Sequence, residues 1–235
     1  MAGRDFRFKQ FHIRQDRCGM KVSTDGVLLG AWTPVDGVRR ILDIGTGTGL
    51  LALMLAQRTP PDVQIEAVEL DPAAAAQAAQ NVLDSPWASR IRVHQGAIQT
   101  YDAAPFDLIV CNPPYFPVGQ VASDGARAQA RHTHTLSYAE LLSAVDRLLT
   151  PDGQLALVLP KDWEPSLLAG ARQMGFYPNC RWNISPKESK AVNRVLLRLS
   201  REELAISTND MVILSGGGGY SEIYANMTSA FYLKL

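Results

Sequence analysis

The feature that most constrains the fold is a regular alternation of short apolar runs with helix-like stretches between residues 39 and 175. Apolar runs of five or six residues are typical of buried strands, and strands that alternate with helices form parallel sheets covered on both faces. The sequence therefore predicts an α/β fold with a mostly parallel sheet. The predicted strands span residues 40–44, 64–69, 90–94, 106–111 and 154–159, and the predicted helices span residues 48–58, 72–84, 138–149 and 163–174.

The pattern changes in the last quarter of the chain. Two strands are predicted at residues 176–184 and 193–199, and the short polar segment between them indicates an antiparallel hairpin that closes the edge of the sheet. The dipeptide Asp152-Gly153 predicts a turn before the fifth strand. A further short strand is predicted at 211–214, and Gly216–Gly219 predicts a hinge or a disordered loop.

The composition argues against several classes of protein. The chain has 235 residues with 23 basic and 23 acidic side chains, so no global charge draws it to nucleic acid or to a membrane. The N-terminus is polar, and no stretch approaches the ~20 apolar residues that a membrane span needs. Three well-separated cysteines without a CxxC pair suggest neither a disulfide framework nor a zinc site. We expect a cytoplasmic monomer without a metal ion, formed as one domain over residues 1–235, with 1–38 as an N-terminal arm.

Basic residues are concentrated in two segments, residues 1–21 and residues 181–198. A neutral protein with local basic segments can bind RNA, and basic runs are also common on surfaces that bind nothing. Charge alone leaves both interpretations open.

A glycine-rich loop follows the first predicted strand, with Gly45, Gly47 and Gly49 in a GxGxG pattern. Such a loop lets a ligand approach the backbone and leaves N–H groups free at the start of the next helix. A dinucleotide-binding loop would need glycine at position 50, where Leu50 stands. Asp43, two residues before the loop, could pair with the ammonium group of an amino-acid-like ligand.

The second predicted strand ends near two carboxylates, Glu69 and Asp71. A carboxylate at this place can accept hydrogen bonds from both hydroxyls of a ribose. Glu69 is the better candidate, because Asp71 followed by Pro72 has the sequence of a helix cap. The loop and the acids resemble the cofactor site of class I S-adenosylmethionine-dependent methyltransferases, which implies that cofactor and a Rossmann-like sheet. The residues assigned to cofactor binding are Asp43, Gly45, Thr46, Gly47, Gly49, Glu69, Leu70, Ala97 and Asn112.

One position departs from the pattern of that superfamily. Many members have an aspartate at about position 97, which accepts a hydrogen bond from the amino group of the cofactor's adenine. Ala97 has no side-chain acceptor. We expect the backbone, Gln95 or Gln99 to take over this contact, and we expect Ala97→Asp to tighten cofactor binding.

The tetrapeptide Asn112-Pro113-Pro114-Tyr115 follows the fourth predicted strand, at the end of the sheet where ligand crevices form. Two prolines exclude a helix and remove two backbone donors. The Asn112 side chain and the Pro113 carbonyl remain as neighbouring acceptors for a planar NH2 group, and Tyr115 offers a face for stacking. The tetrapeptide resembles the catalytic motif of enzymes that methylate adenine N6, cytosine N4 or a glutamine side-chain nitrogen. That resemblance implies Asn112, Pro113, Pro114 and Tyr115 as the catalytic residues.

A long polar segment, Phe116–Thr135, follows the motif and carries Arg131. Long loops beside active sites often close over or grip a substrate, and Arg131 could contact a phosphate. A mobile loop without a binding role would have the same composition, so both interpretations stay open.

The segment Asp16–Trp32 narrows the choice of amine. Together with Gly49–Thr59, Ser85-Pro86-Trp87, Arg194–Leu197 and Ala230–Leu233, it resembles bacterial tRNA methyltransferases that modify N6 of adenine 37 in a valine tRNA. The resemblance covers nearly the whole chain and implies tRNA as the partner. Helix capping is an alternative role for two of the residues to which it assigns substrate binding, Thr24 and Asp25. The implied substrate-binding residues are Lys21, Thr24, Asp25, Tyr115 and Arg131.

Three alternatives remain open. A protein-glutamine methyltransferase shares the tetrapeptide, although such enzymes carry an additional helical domain before the catalytic one. A DNA adenine methyltransferase is also compatible, although no separate target-recognition domain is visible in the sequence. A cofactor-binding RNA-binding protein without turnover is the third, and the intact tetrapeptide argues against it.

Overall fold

The computed structural model describes residues 5–113 and 136–234. Two short strands near the N-terminus, β1 (Asp5–Arg7) and β2 (His12–Arg14), form a separate antiparallel pair. The other strands described form one sheet. They are β3 (Arg40–Ile44), β4 (Gln64–Glu69), β5 (Ile91–Gln95), β6 (Phe106–Cys111), β7 (Leu149–Pro160), β8 (Tyr177–Lys187), β9 (Arg194–Ser200) and β10 (Ser207–Leu214).

The strand order across this sheet is β10-β8-β9-β7-β6-β3-β4-β5. Strands β5, β4, β3, β6 and β7 are parallel to one another, whereas β9 is antiparallel to both β7 and β8. The carboxyl ends of the five parallel strands therefore lie along one edge of the sheet, which we call the carboxyl edge. This edge begins at Pro160 in β7 and passes Cys111, Ile44 and Glu69 to reach Gln95 in β5.

Helices cover both faces of the sheet, because successive side chains of each strand point to opposite faces. Leu108 and Val110 of β6 pack on the face with the first three helices, and Ile109 and Cys111 pack on the other face. None of the helices in residues 5–113 and 136–234 has the length and apolar character needed to cross a bilayer. The helices are α1 (Thr24–Trp32), α2 (Leu50–Arg58), α3 (Pro72–Leu83), α4 (Tyr138–Leu148), α5 (Glu164–Gln173) and α6 (Glu222–Thr228).

The predicted α/β fold is confirmed, and each predicted strand between residues 40 and 111 lies within one or two residues of its observed position. The prediction that the C-terminal hairpin closes the sheet edge is wrong. Strands β8 and β9 do form an antiparallel pair, but β10 adds to β8 in parallel and is the edge strand. β10 begins four residues earlier than predicted, since its exposed polar residues Ser207–Asp210 pair with β8 without entering the core.

Two loop predictions are also corrected. Asp152-Gly153 lies inside β7 rather than in a turn before it, because a bulge in the pairing of β6 with β7 brings Leu149 opposite Phe106. The glycine run forms an ordered turn between β10 and α6. The Ser215 N–H donates to the Gly219 carbonyl at 2.9 Å, and Gly218 adopts φ +87°.

A buried arginine joins the end of α2 to the strand that follows α3. The Arg90 guanidinium donates to the carbonyls of Ala56, Thr59, Pro60 and Val63, and its side chain is almost wholly buried. Helix C-termini leave carbonyls without partners, so this one side chain satisfies several acceptors that the fold buries.

Candidate active site

The glycine loop passes from β3 to α2 with Gly45, Gly47 and Gly49 at φ +69°, +57° and +83°. These left-handed conformations are accessible to glycine at little cost, which explains the residue type at all three positions. The loop is held against the neighbouring strand, because the N–H groups of Gly45 and Thr46 both donate to the Val68 carbonyl, at 2.9 and 3.1 Å.

Asp43 lies completely buried beneath this loop. Its Oδ2 accepts hydrogen bonds from the Thr46 hydroxyl at 2.5 Å and from the Ala52 N–H at 3.3 Å. Its Oδ1 is buried without a hydrogen-bond partner among the described residues. Burial raises the pKa of the carboxyl to about 7, although the two hydrogen bonds act in the opposite direction. Asp43 thus shapes the loop from below, and its pairing with a ligand ammonium group stays a prediction.

Glu69 connects the glycine loop to the end of β4. Its Oε2 accepts the Gly47 N–H at 2.8 Å and its Oε1 accepts the Asp71 N–H at 2.9 Å. The side chain of Asp71 accepts the Ala74 N–H at 2.7 Å and so caps α3, with Pro72 in the first turn. The predicted helix-capping role of Asp71 is confirmed, and Glu69 is left facing the cavity.

A cavity of about 490 Å³ opens at the carboxyl edge above these groups. It is lined by residues 17–20, by Gly45 and Gly47, by residues 68–71 and 96–99, and by side chains at the start of α4. A side-chain carbon added at Gly45, Gly47 or Gly96 would meet no atom within 4 Å, so the backbone there is open to a ligand. Pockets for cofactor-sized molecules fall in this range of volume.

The predicted cofactor residues divide into two groups. Gly45, Gly47, Glu69, Leu70 and Ala97 line the cavity. The other four predicted residues lie next to the cavity. Asp43 and Thr46 lie under the glycine loop, Gly49 caps the start of α2, and Asn112 follows Cys111, which lines the cavity.

Asn112 is half-buried at the end of β6, and the next residue, Pro113, is buried. Helix α1 approaches closely here, since a side-chain carbon at Gly26 would lie 3.6 Å from Asn112 Nδ2. Pro114, Tyr115 and Arg131 lie outside the described residues.

The predicted substrate residues lie near the start of α1. Lys21 and Thr24 are exposed, whereas the Asp25 carboxylate accepts a hydrogen bond from Arg194 Nε at 2.8 Å. Helix capping falls to Ser23, whose side chain accepts the Gly26 N–H at 3.2 Å, so the alternative capping role for Thr24 and Asp25 is wrong.

Comparison with known proteins identifies the family. A family model described as "Methyltransferase small domain" matches residues 26–168. A tRNA1(Val) (adenine(37)-N6)-methyltransferase of Aeromonas hydrophila is 52% identical over 98% of both chains. Proteins of the same name from Tolumonas auensis and Escherichia coli are 51% and 47% identical, over 100% and 97% of this chain and 99% and 94% of theirs.

The chain belongs to this methyltransferase family. It is therefore an enzyme, with S-adenosylmethionine as its methyl donor. Solved structures agree on the fold: a predicted O-methyltransferase of Agrobacterium tumefaciens aligns with a TM-score of 0.69 at 19% identity, over 88% of this chain and 96% of that one. A glycopeptide N-methyltransferase complexed with S-adenosylmethionine aligns with a TM-score of 0.55 at 14% identity, over 77% and 100%.

The cavity of this methyltransferase fits the cofactor. The open backbone at Gly45 and Gly47 leaves room for close approach, and the carboxylate of Glu69 stands where ribose hydroxyls are bound in α/β folds. Cys18 lines the same cavity, and burial, with Glu69 and Asp71 nearby, raises the pKa of its thiol to about 11. Cys18 therefore stays protonated and contributes surface rather than a nucleophile.

Ala97 lines the cavity in the segment after β5, where its side chain offers only a methyl group. Gln95 is turned away, since its Nε2 donates weakly to the Leu70 carbonyl at 3.4 Å. Gln99 lines the cavity and its Nε2 donates to Glu140 Oε1 at 3.2 Å. Glu140 itself also lines the cavity.

The two basic segments differ in how many of their basic side chains make contacts within the protein. In residues 181–198, three arginines form ion pairs or hydrogen bonds with other side chains, and Lys187 and Lys190 are exposed. In the N-terminal segment, Arg7 is exposed and Lys9 Nζ donates to the Ser229 carbonyl at 2.7 Å. The three held pairs are Arg181 with Glu164, Arg194 with Asp25, and Arg198 with Asn179.

Sequence reasoning missed the lining contributed by residues 17–20 and by the start of α4. The segment Arg17–Met20 lies far from the glycine loop along the chain, and only the family resemblance includes it. Glu140 has the sequence signature of a capping box with Ser137, which explains its residue type without reference to a ligand. Within residues 5–113 and 136–234, no group of three or more His, Cys, Asp or Glu side chains could hold a metal ion.

Proposed function

We propose that this methyltransferase transfers a methyl group from S-adenosylmethionine to the exocyclic N6 of adenine 37 in a valine tRNA. The observation that carries the proposal is an Asn-Pro-Pro-Tyr motif that begins where β6 ends, beside the cofactor cavity, in a chain about half identical to relatives named for this reaction. We expect the enzyme to act in the cytoplasm, as a monomer.

The site residues would hold an amine rather than activate it by removing a proton. The lone pair of an aromatic amino group is delocalised into its ring, so the nitrogen is a weak nucleophile. In the proposal, the Asn112 side-chain oxygen and the Pro113 carbonyl accept its two N–H bonds, which favours the pyramidal nitrogen that can attack. When bound, the cofactor supplies a methyl group on a positively charged sulfur, and the enzyme contributes mainly position.

The sheet supports this arrangement. Asn112 follows β6 and Glu69 ends β4, with β3 and its glycine loop between them. Glu69 would hold the ribose, the open backbone at Gly45 and Gly47 would contact the cofactor, and Asn112 would hold the amine that receives the methyl group. Close packing of α1 at Gly26 limits the space beside the Asn112 side chain.

The remaining assignments belong to the same proposal. A base in a stacked loop must be turned out before its amino group can enter such a site, and Tyr115 would then stack on it. We assign Lys21, Thr24, Asp25 and Arg131 to substrate binding. Asp25 would act through its ion pair with Arg194, which fixes the start of α1 next to the site.

The first test is methyl transfer from labelled S-adenosylmethionine to unmodified total tRNA, followed by nucleoside mass spectrometry. We expect N6-methyladenosine in a valine tRNA. Label in a protein glutamine or in DNA adenine, with none in tRNA, would instead establish one of the two alternative methyltransferases. Binding of the cofactor without transfer to any of the three would indicate a protein without turnover.

The second test separates Asn112 from the rest of the site. Asn112→Ala should lower the rate of transfer by at least about 100-fold, the usual effect of removing one well-placed hydrogen-bonding group from a site. The affinity for S-adenosylhomocysteine, measured by calorimetry, should stay within about threefold, a difference of under 1 kcal/mol. Asn209→Ala, on the exposed part of β10, is the matched control and should change neither quantity. An Asn112→Ala variant that retains transfer would contradict the catalytic assignment.

A further inference from the structure

An acidic side chain at the edge of the cofactor cavity has no role in the site described so far. Glu140 stands in the first turn of α4 and lines the cavity together with Gln99. Its Oε2 accepts hydrogen bonds from the Ser137 N–H at 2.8 Å and from the Ser137 hydroxyl at 2.6 Å. Its Oε1 accepts one from Gln99 Nε2 at 3.2 Å. The carboxylate is therefore held from two sides at the wall of the cavity.

The order of the strands indicates which part of the cofactor reaches this wall. In the proposed function, Asn112 at the end of β6 faces the transferred methyl group and Glu69 at the end of β4 holds the ribose hydroxyls; the structure places Asn112 and Glu69 at these two strand ends. The strand beyond β4 is β5, and the segment Gly96–Gln99 that follows it lines the cavity. The adenine, which is attached to the ribose on the side away from the sulfur, therefore extends toward Gln99 and Glu140.

We propose that Glu140, oriented by Gln99 and Ser137, accepts the hydrogen bond from the amino group of the cofactor's adenine and so replaces the aspartate that position 97 lacks. The inference rests on the cofactor site of the proposed function. It makes Glu140 a specificity-determining residue. Its contact with the base comes from α4, which packs on the sheet face of Ile109 and Cys111, rather than from the loop after β5.

The chemistry of the carboxylate agrees with this role. An ionised carboxylate offers about four acceptor positions, and the hydrogen bonds from Ser137 and Gln99 occupy three. The same hydrogen bonds, those from Ser137 first, hold the pKa of Glu140 below its usual range, so the group is an acceptor at neutral pH. Gln99 uses its amide N–H on Glu140, which leaves Glu140 as the charged acceptor at this wall and Gln99 as its positioning residue.

The experiment compares two ligands by calorimetry: S-adenosylhomocysteine, and its analogue with hydrogen in place of the 6-amino group. The wild-type enzyme should bind the first about tenfold more tightly, equivalent to about 1.4 kcal/mol. In Glu140→Ala the ratio of the two affinities should fall to about one. Ala97→Asp introduced into Glu140→Ala should restore the ratio, because it returns a carboxylate to the same wall. The rescue is made in that background, since two carboxylates side by side would repel each other.

The ratio separates recognition of the base from a purely structural role. Glu140 also caps α4, so its loss lowers stability, but a cap that only stabilises the helix would weaken both ligands equally and leave the ratio at its wild-type value. Glu222→Ala removes the first-turn acid of α6, away from the cavity lining, and should leave the ratio unchanged.

Two results would overturn the proposal: a wild-type ratio near one, and a ratio that survives in Glu140→Ala. If a ratio that survived in Glu140→Ala were lost in Gln99→Ala, the contact would belong to Gln99. If the wild-type enzyme bound neither ligand, the cofactor assignment itself would fail, and the proposal with it.

Discussion

The buried carboxyl of Asp43 should make the stability of the cofactor-free enzyme depend on pH. Its pKa is about 7 in the folded protein, against about 3.9 in an unfolded chain. Between these values the folded state holds a proton that the unfolded state has released, so stability falls as pH rises from about 4 to about 7. A difference of about three pH units, at 1.36 kcal/mol each, corresponds to at most about 4 kcal/mol. This is a large part of the 5–15 kcal/mol that stabilises a typical domain.

The measurement is urea unfolding of the wild-type enzyme and of Asp43→Asn at several pH values between 4 and 8, at constant ionic strength. The asparagine does not titrate and retains an oxygen that can accept from Thr46 and Ala52. The free energy of unfolding of the wild type, minus that of the variant, should fall by up to about 4 kcal/mol across this window and level off above pH 7. A difference that stays constant with pH would show that Asp43 titrates as it does in the unfolded chain.

A second variant tests the cause of the shift. The Thr46 hydroxyl donates to Asp43 and so opposes the effect of burial on its pKa. Thr46→Val removes that donor at nearly constant volume, and the upper end of the pH window should move above 7. An unchanged window would mean that the hydroxyl does not act on the carboxylate.

The remaining predictions concern stability and RNA binding. Arg90→Met should lower the free energy of unfolding by about 3 kcal/mol, because it leaves buried carbonyls at the end of α2 without a donor. Chemical denaturation measures this loss, provided that the m-value stays unchanged. A loss under about 1 kcal/mol would contradict the prediction. Charge reversal at Arg4, Arg7 and Lys9 should weaken tRNA binding and reduce its dependence on salt, by about one unit of the log–log slope for each phosphate that the arm no longer neutralises. An unchanged slope would mean that this arm is an ordinary solvated surface.

The central strands could be predicted because both of their faces are buried. β6 is apolar at five of its six positions and β3 at three of five, and a short run of this kind bounded by turns has few other solutions. β10 was harder, because four of its eight residues are exposed and polar and are held by backbone pairing with β8 and a side-chain hydrogen bond from Asn183 to Asp210. Pairing of that kind leaves no hydrophobic pattern in the sequence.

The site was predictable to a similar extent. Backbone requirements leave a strong signature, so the glycines of the loop and the cap at Asp71 could be assigned from residue type and spacing. Asp43 shows the limit of that reasoning, since the sequence does not say whether a carboxylate points at a ligand or at the underside of its own loop. Glu140 shows another, because its neighbour in space, Gln99, is about 40 residues away along the chain.

The contact between Asp25 and Arg194 has a consequence for how the enzyme can be divided. The match to the family model ends at residue 168, yet β9 pairs directly with β7 in the interior of the sheet. Arg194 in β9 holds the start of α1, and α1 in turn packs against Asn112. A fragment ending at 168 would expose the unpaired side of β7 and release the helix beside Asn112. The segment after residue 168 therefore completes the sheet and positions α1, so it cannot be exchanged as a module without disturbing the surroundings of Asn112.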